Sequence, residues 1–332
     1  MAMALYEPGL GYYANDSRKF GSMPASGSDF VTAPELSPVF GQTLAVQVAQ
    51  ALQASGTSEV WEFGAGSGAL ALQLLDALGD QVGRYSIVEL SGVLRERQHA
   101  TLAAHAHKLH WVSSLPERMQ GVLVGNEVLD AMPVQLLARV GGVWHERGVA
   151  NDAGTLRFAD RTTALRPPVE VGGAHDYLSE IHPQAEAFVR TLVTKLERGA
   201  AFFVDYGFPE AEYYHPQRHM GTLMCHRAHV ADTDSLADIG LKDITAHVNF
   251  TAIALAAQDA GWVCLGYANQ ARFLMNCGLL QKLELSTQAA RASAQKLITE
   301  HEMGELFKVV GFCVGEPWDA LGFVSGDRTH TL

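Results

Sequence analysis

Cysteine is scarce: Cys225, Cys264, Cys277 and Cys313 are the four in 332 residues, and no two stand at C-x-x-C spacing. That excludes a C-x-x-C zinc or dithiol redox motif and suits a reducing compartment. No metal is expected. Positive charge is also in short supply, with 24 Lys and Arg against 36 Asp and Glu and a formal net charge of −12. Binding to a phosphate backbone needs clustered basic residues, so no nucleic-acid partner is expected. No apolar run nears the roughly 20 residues of a membrane-crossing helix. The start, Met1-Ala2-Met3-Ala4-Leu5-Tyr6-Glu7, has neither the basic nor the apolar stretch of a signal peptide. No membrane insertion is expected, and the chain reads as cytoplasmic. Internal repeats and low-complexity tracts are absent as well. What is plentiful is apolar side chain: 48% hydrophobic residues against 18% charged ones support a sizeable buried core.

Along the chain, residues 1–35 are rich in Gly, Pro, Ser and Tyr, with loop-like stretches at Gly9-Leu10-Gly11-Tyr12-Tyr13 and Pro24-Ala25-Ser26-Gly27-Ser28. Phe40, Leu44, Val48 and Leu52 then recur at helical spacing between Pro38 and Ala54. A strand–helix alternation follows: strands at Glu59–Phe63, Arg84–Glu89, Leu109–Val112 and Gly121–Gly125, helices at Ser67–Leu78 and Ser91–His105. Such alternation predicts a doubly wound, mostly parallel α/β sheet. Val134–Val140 and Val143–Val149 flank Gly141-Gly142 and predict a hairpin. A polar stretch to about Gly173 reads as an insertion. Pro183–Leu196 is a helix with Pro at its start, and Ala200–Asp205 a fifth buried strand. A strand near Thr222–Cys225, a helix Phe250–Ala260 capped by Asn249, late strands at Val263–Ala268 and Lys308–Val314, and a helix over Ser286–His301 complete the reading.

The turn Glu62-Phe63-Gly64-Ala65-Gly66-Ser67-Gly68 joins the first strand to its helix. Small residues there let a ligand approach the backbone, and the helix start supplies unpaired N–H groups. The spacing also satisfies a dinucleotide fingerprint loosely, through Gly64, Gly66 and Ala69. Glu62 lies inside the strand, where a carboxylate suits an ammonium or sulfonium better than a pyrophosphate. Glu89 ends the second strand at the distance from which an acid accepts from ribose hydroxyls, a feature common to NAD and S-adenosylmethionine (SAM) enzymes. Asn126-Glu127-Val128-Leu129-Asp130 puts a polar, acidic cluster at the carboxyl edge of the sheet, where ligands of open α/β sheets bind. Together these favour SAM over a nicotinamide or flavin.

These segments resemble the MidA-type methyltransferases. Further matching stretches are Leu5-Tyr6-Glu7-Pro8 with Gly11-Tyr12-Tyr13, Asp29-Phe30-Val31-Thr32-Ala33-Pro34-Glu35-Leu36-Ser37, Val88-Glu89-Leu90-Ser91, Asp205-Tyr206-Gly207, Gly221-Thr222-Leu223, Asp243-Ile244-Thr245-Ala246-His247-Val248 and Gly304-Glu305-x-Phe307-Lys308-Val309. The chain departs from the pattern at Ala65 and Ser67, where Pro and Arg are common, at His226 and Ala228, and at Asn249, where Asp is usual. The resemblance implies a Rossmann-like methyltransferase sheet with an inserted or appended α+β substrate subdomain. The pattern along the chain divides it into a lid segment 1–40, a first core half 41–133, a β-rich insertion 134–182, and a second core half with substrate-side elements 183–332. The resemblance carries a substrate as well: it implies N-methylation of a protein arginine, since mitochondrial relatives act as arginine methyltransferases and assembly factors for respiratory complex I. A respiratory-complex subunit is then the natural class of protein substrate, and a homodimer is compatible with the reading.

Candidate cofactor contacts are Glu62, Gly64, Gly66, Gly68, Glu89, Thr32 and Asn126. Candidate catalytic residues are Glu127, Asp130, Asp205 and His247. Carboxylates that hold a guanidinium bidentately suit methyl transfer to arginine. Each has a plainer alternative: a loop contact for Glu127, a turn cap for Asp130, a structural hydrogen bond for Asp205 with Tyr206, a satisfied histidine for His247, loop packing for Thr32. Asp29 and Thr32 lie in a loop able to fold over the cofactor, with Tyr12 and Tyr13 as candidate lid residues. A non-catalytic SAM-binding assembly factor, a nicotinamide oxidoreductase and a small-molecule methyltransferase stand as rival readings.

Overall fold

Val122, Leu123 and Val124 have no polar face to offer water, and all three are fully buried mid-sheet. The computed structural model describes residues 1–15, 29 and 31–332, so the loop read at 24–28 lies outside the described residues. In chain order the strands are β1 (Glu59–Phe63), β2 (Arg84–Val88), β3 (Leu109–Val112), β4 (Met119–Asn126), β5 (Gln135–Val140), β6 (Val143–Asp152), β7 (Thr155–Thr162), β8 (Tyr177–Ile181), β9 (Leu196–Phe208), β10 (Met224–Arg227), β11 (Val230–Asp232), β12 (Asp243–Thr245), β13 (Val248–Asn249), β14 (Val263–Asn269) and β15 (Phe307–Cys313).

The large sheet runs β14-β15-β9-β4-β1-β2-β3, with β13 added to β9. Pairing is parallel from β3 through β2, β1 and β4 to β9. β15 lies antiparallel to β9, and β14 antiparallel to β15. This is a doubly wound, mostly parallel, Rossmann-like α/β sheet. Because side chains alternate along a strand, it feeds two cores. Val122 and Val124 of β4, with Ala200, Phe202 and Val204 of β9, pack against Leu44, Val48, Leu70 and Leu74 of the helices Val39–Ser55 and Ala69–Leu78. Leu123, Ala201 and Phe203 face the other way, onto Val189, Leu192, Ile253 and Ala257 of the helices Pro183–Lys195 and Phe250–Asp259. The strand order reverses between β1, with β2 on one side and β4 on the other, which opens a crevice beyond their carboxyl ends.

Two small sheets sit beside this frame. β7-β6-β5-β8 is antiparallel and occupies residues 135–181. Its Gly141-Gly142 turn has φ of 55° and 82°, the left-handed pair that a tight hairpin needs. β7 lies in the polar stretch read to about Gly173 and β8 just past it, both within the expected β-rich insertion 134–182. Every residue of β7 is exposed, so the brief alternation of Leu156 and Phe158 with polar residues marks no buried face. The second sheet, β11-β10-β12, packs Cys225 and Ile244 against Leu5 and Tyr12 of the N-terminal segment.

Helix ends follow their caps. Asn249 accepts from the Ala252 N–H and Ser91 from that of Leu94. The helix expected from Ser67 begins at Ala69 instead, because Gly68 at φ 84° stands outside it as the N-cap. The helix expected to reach His105 ends at Thr101 and tightens into a 3-10 turn over Ala103–Lys108. The late helix spans Gln288–Ile298 behind a Thr287 cap.

Candidate functional site

The strand ends are closed by two turns of unusual backbone. After β1, Gly64 and Gly66 take φ of 65° and 52°. A Cβ at Gly64 would lie 2.9 Å from Val128 Cγ2, which ties the glycine turn to the loop after β4. That loop carries the second turn: Glu127 has φ 52°, costly for a side chain with a Cβ. The conformation is held from below by Asp205. One of its oxygens accepts the N–H groups of Val128, Leu129 and Asp130 at 3.2, 2.9 and 3.2 Å, and the other that of Tyr206 at 2.9 Å. Together these bonds satisfy four backbone donors that would otherwise be orphaned in the interior.

Above these turns lies a cavity of about 1090 Å³. Its wall includes Glu62, Gly64, Gly66, Glu89, Thr32, Asn126, Glu127, Asp130 and His247, so the fold brings these sequence-selected residues to one place. Two of the candidate cofactor and catalytic residues stand elsewhere. Asp205 is fully buried under the β4 loop and off the wall, with its oxygens occupied by backbone donors, so a direct role on the acceptor gives way to a positioning one. Gly68 faces Leu102 and Thr101 at 3.5 Å and does not line the cavity; it shapes the helix start.

On the β1–β2 side, Gln98 bridges the turn and Glu89, its Nε2 donating to the Gly66 carbonyl and to Glu89 Oε2, both at 3.1 Å. Glu89 Oε1 accepts from the Ser91 N–H at 2.9 Å. The Tyr85 hydroxyl donates to Glu62 Oε2 at 2.6 Å. Thr32 starts the short helix Ala33–Leu36 without using its side chain as a cap. Ser67 donates its hydroxyl to Glu35, which links that helix to the glycine turn.

The far wall is formed by Asp130, Tyr206, His247, Asp243 and Thr245 together with Tyr6 and Tyr13 of the N-terminal segment. Asp29 also lines the cavity and accepts from the Tyr12 hydroxyl and the Ala228 N–H. Asp243 and Tyr6 were not singled out from sequence. β12 is three residues long, too short for a period to show which of its side chains faces the site.

Burial dominates the electrostatics. It raises Glu62 to about 7 against the opposing hydrogen bond from Tyr85, with Glu89 adding to the rise. It raises Glu127 to about 8, helped by the nearby Asp130. Asp130 goes to about 6 by burial, opposed by a hydrogen bond with Tyr206. Asp243 rises to about 7 for the same first reason, with Asp130 next. Burial, then the carboxyls of Asp130 and Glu127, pushes Asp205 upward too. His247 falls to about 4 through burial and the positive charges of Arg218 and Lys308, so it is neutral near pH 7.

No Lys or Arg stands among the described residues of the cavity wall, and four polar atoms there, Asn126 Oδ1, Asp130 Oδ1, Thr245 Oγ1 and His247 Nδ1, have no hydrogen-bond partner among them. Buried acids without cations are costly unless a positively charged ligand compensates them. A ligand bearing a sulfonium and an ammonium beside a ribose fits this donor set, with Glu62 and Asn126 available to the cation and Glu89 to the sugar.

Fold and site thus define a nucleoside-cofactor protein whose acidic pocket opens at the switch point of a Rossmann-like sheet. A family model described as "Putative S-adenosyl-L-methionine-dependent methyltransferase" matches residues 43–268, and the chain belongs to that family. A solved Burkholderia thailandensis protein, bound to S-adenosyl-homocysteine, is 51% identical, superposes with a TM-score of 0.96, and is matched over 100% of this chain and 90% of its own. Curated relatives include the Danio rerio mitochondrial protein arginine methyltransferase NDUFAF7, 28% identical over 93% of this chain and 81% of its own length. The Homo sapiens counterpart is 28% identical over 91% and 75%. The cofactor is S-adenosylmethionine, and the nicotinamide alternative is set aside.

Proposed function

We propose that this chain methylates a guanidinium nitrogen of arginine in a protein substrate. The observation that carries the reading is the pair Glu127 and Asp130, three residues apart on one rigid turn, facing a cavity whose described wall has no cation. The names of the relatives, protein arginine methyltransferases at 28% identity, support it.

SAM supplies an electrophilic methyl group on a sulfonium. The chain's part is to present one acceptor nitrogen to it, which is chiefly a matter of alignment. Glu127 and Asp130 pair with the guanidinium and hold its plane. On pairing they give up the protons that burial makes them retain. Transfer would make the nitrogen–methyl bond as the sulfonium's sulfur–methyl bond breaks, with S-adenosyl-homocysteine leaving; the nitrogen sheds a proton, and Glu127, which burial raises to about 8 in the ligand-free chain, is the carboxylate matched to receive it. His247, neutral and with Nδ1 unpartnered among the described residues, offers the acceptor a hydrogen bond without adding charge. Asp205 keeps the turn in shape.

The test is methyl transfer from radiolabelled SAM to an extract of cells lacking the protein, with mass spectrometry of the labelled residue. A respiratory-complex subunit is the first substrate to examine in that extract. Methylarginine supports the reading. Label on another acceptor removes the arginine assignment. Tight SAM binding by calorimetry with no transfer points instead to a non-catalytic assembly factor.

A further inference from the structure

The wall opposite the glycine turn is built from segments far apart in the chain, and the mechanism above uses only part of it. Asp243 is 3% exposed yet lines the cavity. Its Oδ1 accepts from the Tyr13 hydroxyl at 2.9 Å. Tyr6 donates to the Ala131 carbonyl at 2.8 Å, which fixes it beside the acidic turn. The Tyr6 and Tyr13 rings stack at 5.6 Å with 20° between their planes. Asp130 is 4% exposed, and its Oδ1 has no partner among the described residues.

This set has a definite complement. Two buried carboxyls call for positive charge. Two of them on different segments, the loop after β4 and β12, call for a cation with more than one donor edge, and a flat aromatic wall favours a cation with a face. A guanidinium has both; an alkylammonium is a point charge with neither.

We propose that Asp243 is a specificity-determining acceptor residue, and that with Asp130 and the Tyr6–Tyr13 pair it forms a clamp for the guanidinium. The clamp rests on the arginine reading above and adds to it a second carboxylate and an aromatic face contributed by the first fifteen residues. Tyr13 acts through Asp243, as a positioning residue; Tyr6 and Asp243 touch the acceptor.

The experiment titrates extract protein against wild type, Asp243→Asn and Tyr6→Leu at saturating radiolabelled SAM, and adds ethylguanidine or ethylammonium as inhibitor. Calorimetry with S-adenosyl-homocysteine checks that each variant is folded. Asp243→Asn is expected to raise the apparent KM for acceptor protein at least tenfold, with S-adenosyl-homocysteine affinity within about twofold of wild type; tenfold corresponds to about 1.4 kcal/mol. Tyr6→Leu, at a position 43% exposed and so tolerant of change, is expected to raise it severalfold. Ethylguanidine should compete with acceptor protein and not with SAM, more strongly than ethylammonium, and lose that advantage in Asp243→Asn. Methylarginine formed with unchanged KM in both variants overturns the clamp alone. A product methylated on an uncharged group overturns the clamp and the arginine reading together. Should Asp243→Asn fail to bind S-adenosyl-homocysteine, Tyr6→Leu and the two inhibitors on wild type decide: equal inhibition by both, with normal KM in Tyr6→Leu, overturns the proposal.

Discussion

The two sides of the cavity are held together in different ways. On the β1–β2 side the tethers are short in sequence: Gln98 to the Gly66 carbonyl spans 32 positions, Thr101 to the Ser67 carbonyl 34, Gln98 to Glu89 only nine. On the acceptor side they are long: Tyr6 to Ala131 spans 125 positions, Tyr13 to Asp243 spans 230, and Asn15 to Gly240 spans 225. The cofactor side is part of the sheet. The acceptor side is a roof pinned across long stretches of chain, by these hydroxyls and amides and by the packing of Leu5 and Tyr12 on Cys225 and Ile244. The two should therefore fail separately, and substitutions can be chosen to break one while sparing the other.

The largest effect is expected from Gly66→Val. Its branched side chain occupies ligand space and meets a backbone at φ 52° that β-branched residues avoid. SAM affinity by calorimetry should fall at least a hundredfold, about 2.7 kcal/mol. A folded variant with normal affinity would move the site elsewhere. Next comes Glu127→Gln, expected to lower kcat by a hundredfold or more with SAM affinity within about twofold; unchanged turnover would remove Glu127 from the chemistry.

The same variant tests the pH argument. Glu127 has a raised value in the folded chain, so the folded state holds this proton more tightly than the unfolded one does. Its contribution to stability is intact below the unfolded value of about 4.3 and is lost as pH rises toward about 8. Between those limits, the melting temperature of the ligand-free wild type should fall relative to that of Glu127→Gln. Parallel curves would contradict the assignment.

Asp205→Ala attacks the support. It leaves the N–H groups of residues 128–130 without their acceptor, at about 1–3 kcal/mol of stability, with turnover lost before cofactor affinity. A thermal melt and a SAM titration read both quantities. The smallest change is expected from Tyr85→Phe, which deletes the donor to Glu62 for about 0.5–1.5 kcal/mol and a modest loss of SAM affinity.

The same contrast explains what could be read in advance. The β4 apolar run, the glycine turn, the Gly141-Gly142 hairpin and the Asn249 cap are local signals, and each appears where its residues stand. The direction of β15 could not be read, because a strand buried on both faces looks alike in either sense. Asp205 is read as ending a strand at the sheet edge, but three of the four N–H groups it accepts lie 75 to 77 positions away. Asp243 was present in a matching segment. Its place on the wall comes from the pairing of β12 with β10 and from the long tether to Tyr13, both made with distant residues.

The left-handed bend at Glu127 has a thermodynamic consequence of its own. Its rotational freedom is surrendered when the chain folds, against the three N–H bonds to Asp205, and not when an acceptor arrives. The incoming side chain therefore meets groups already aimed, and the entropy of ordering them does not reappear in each encounter.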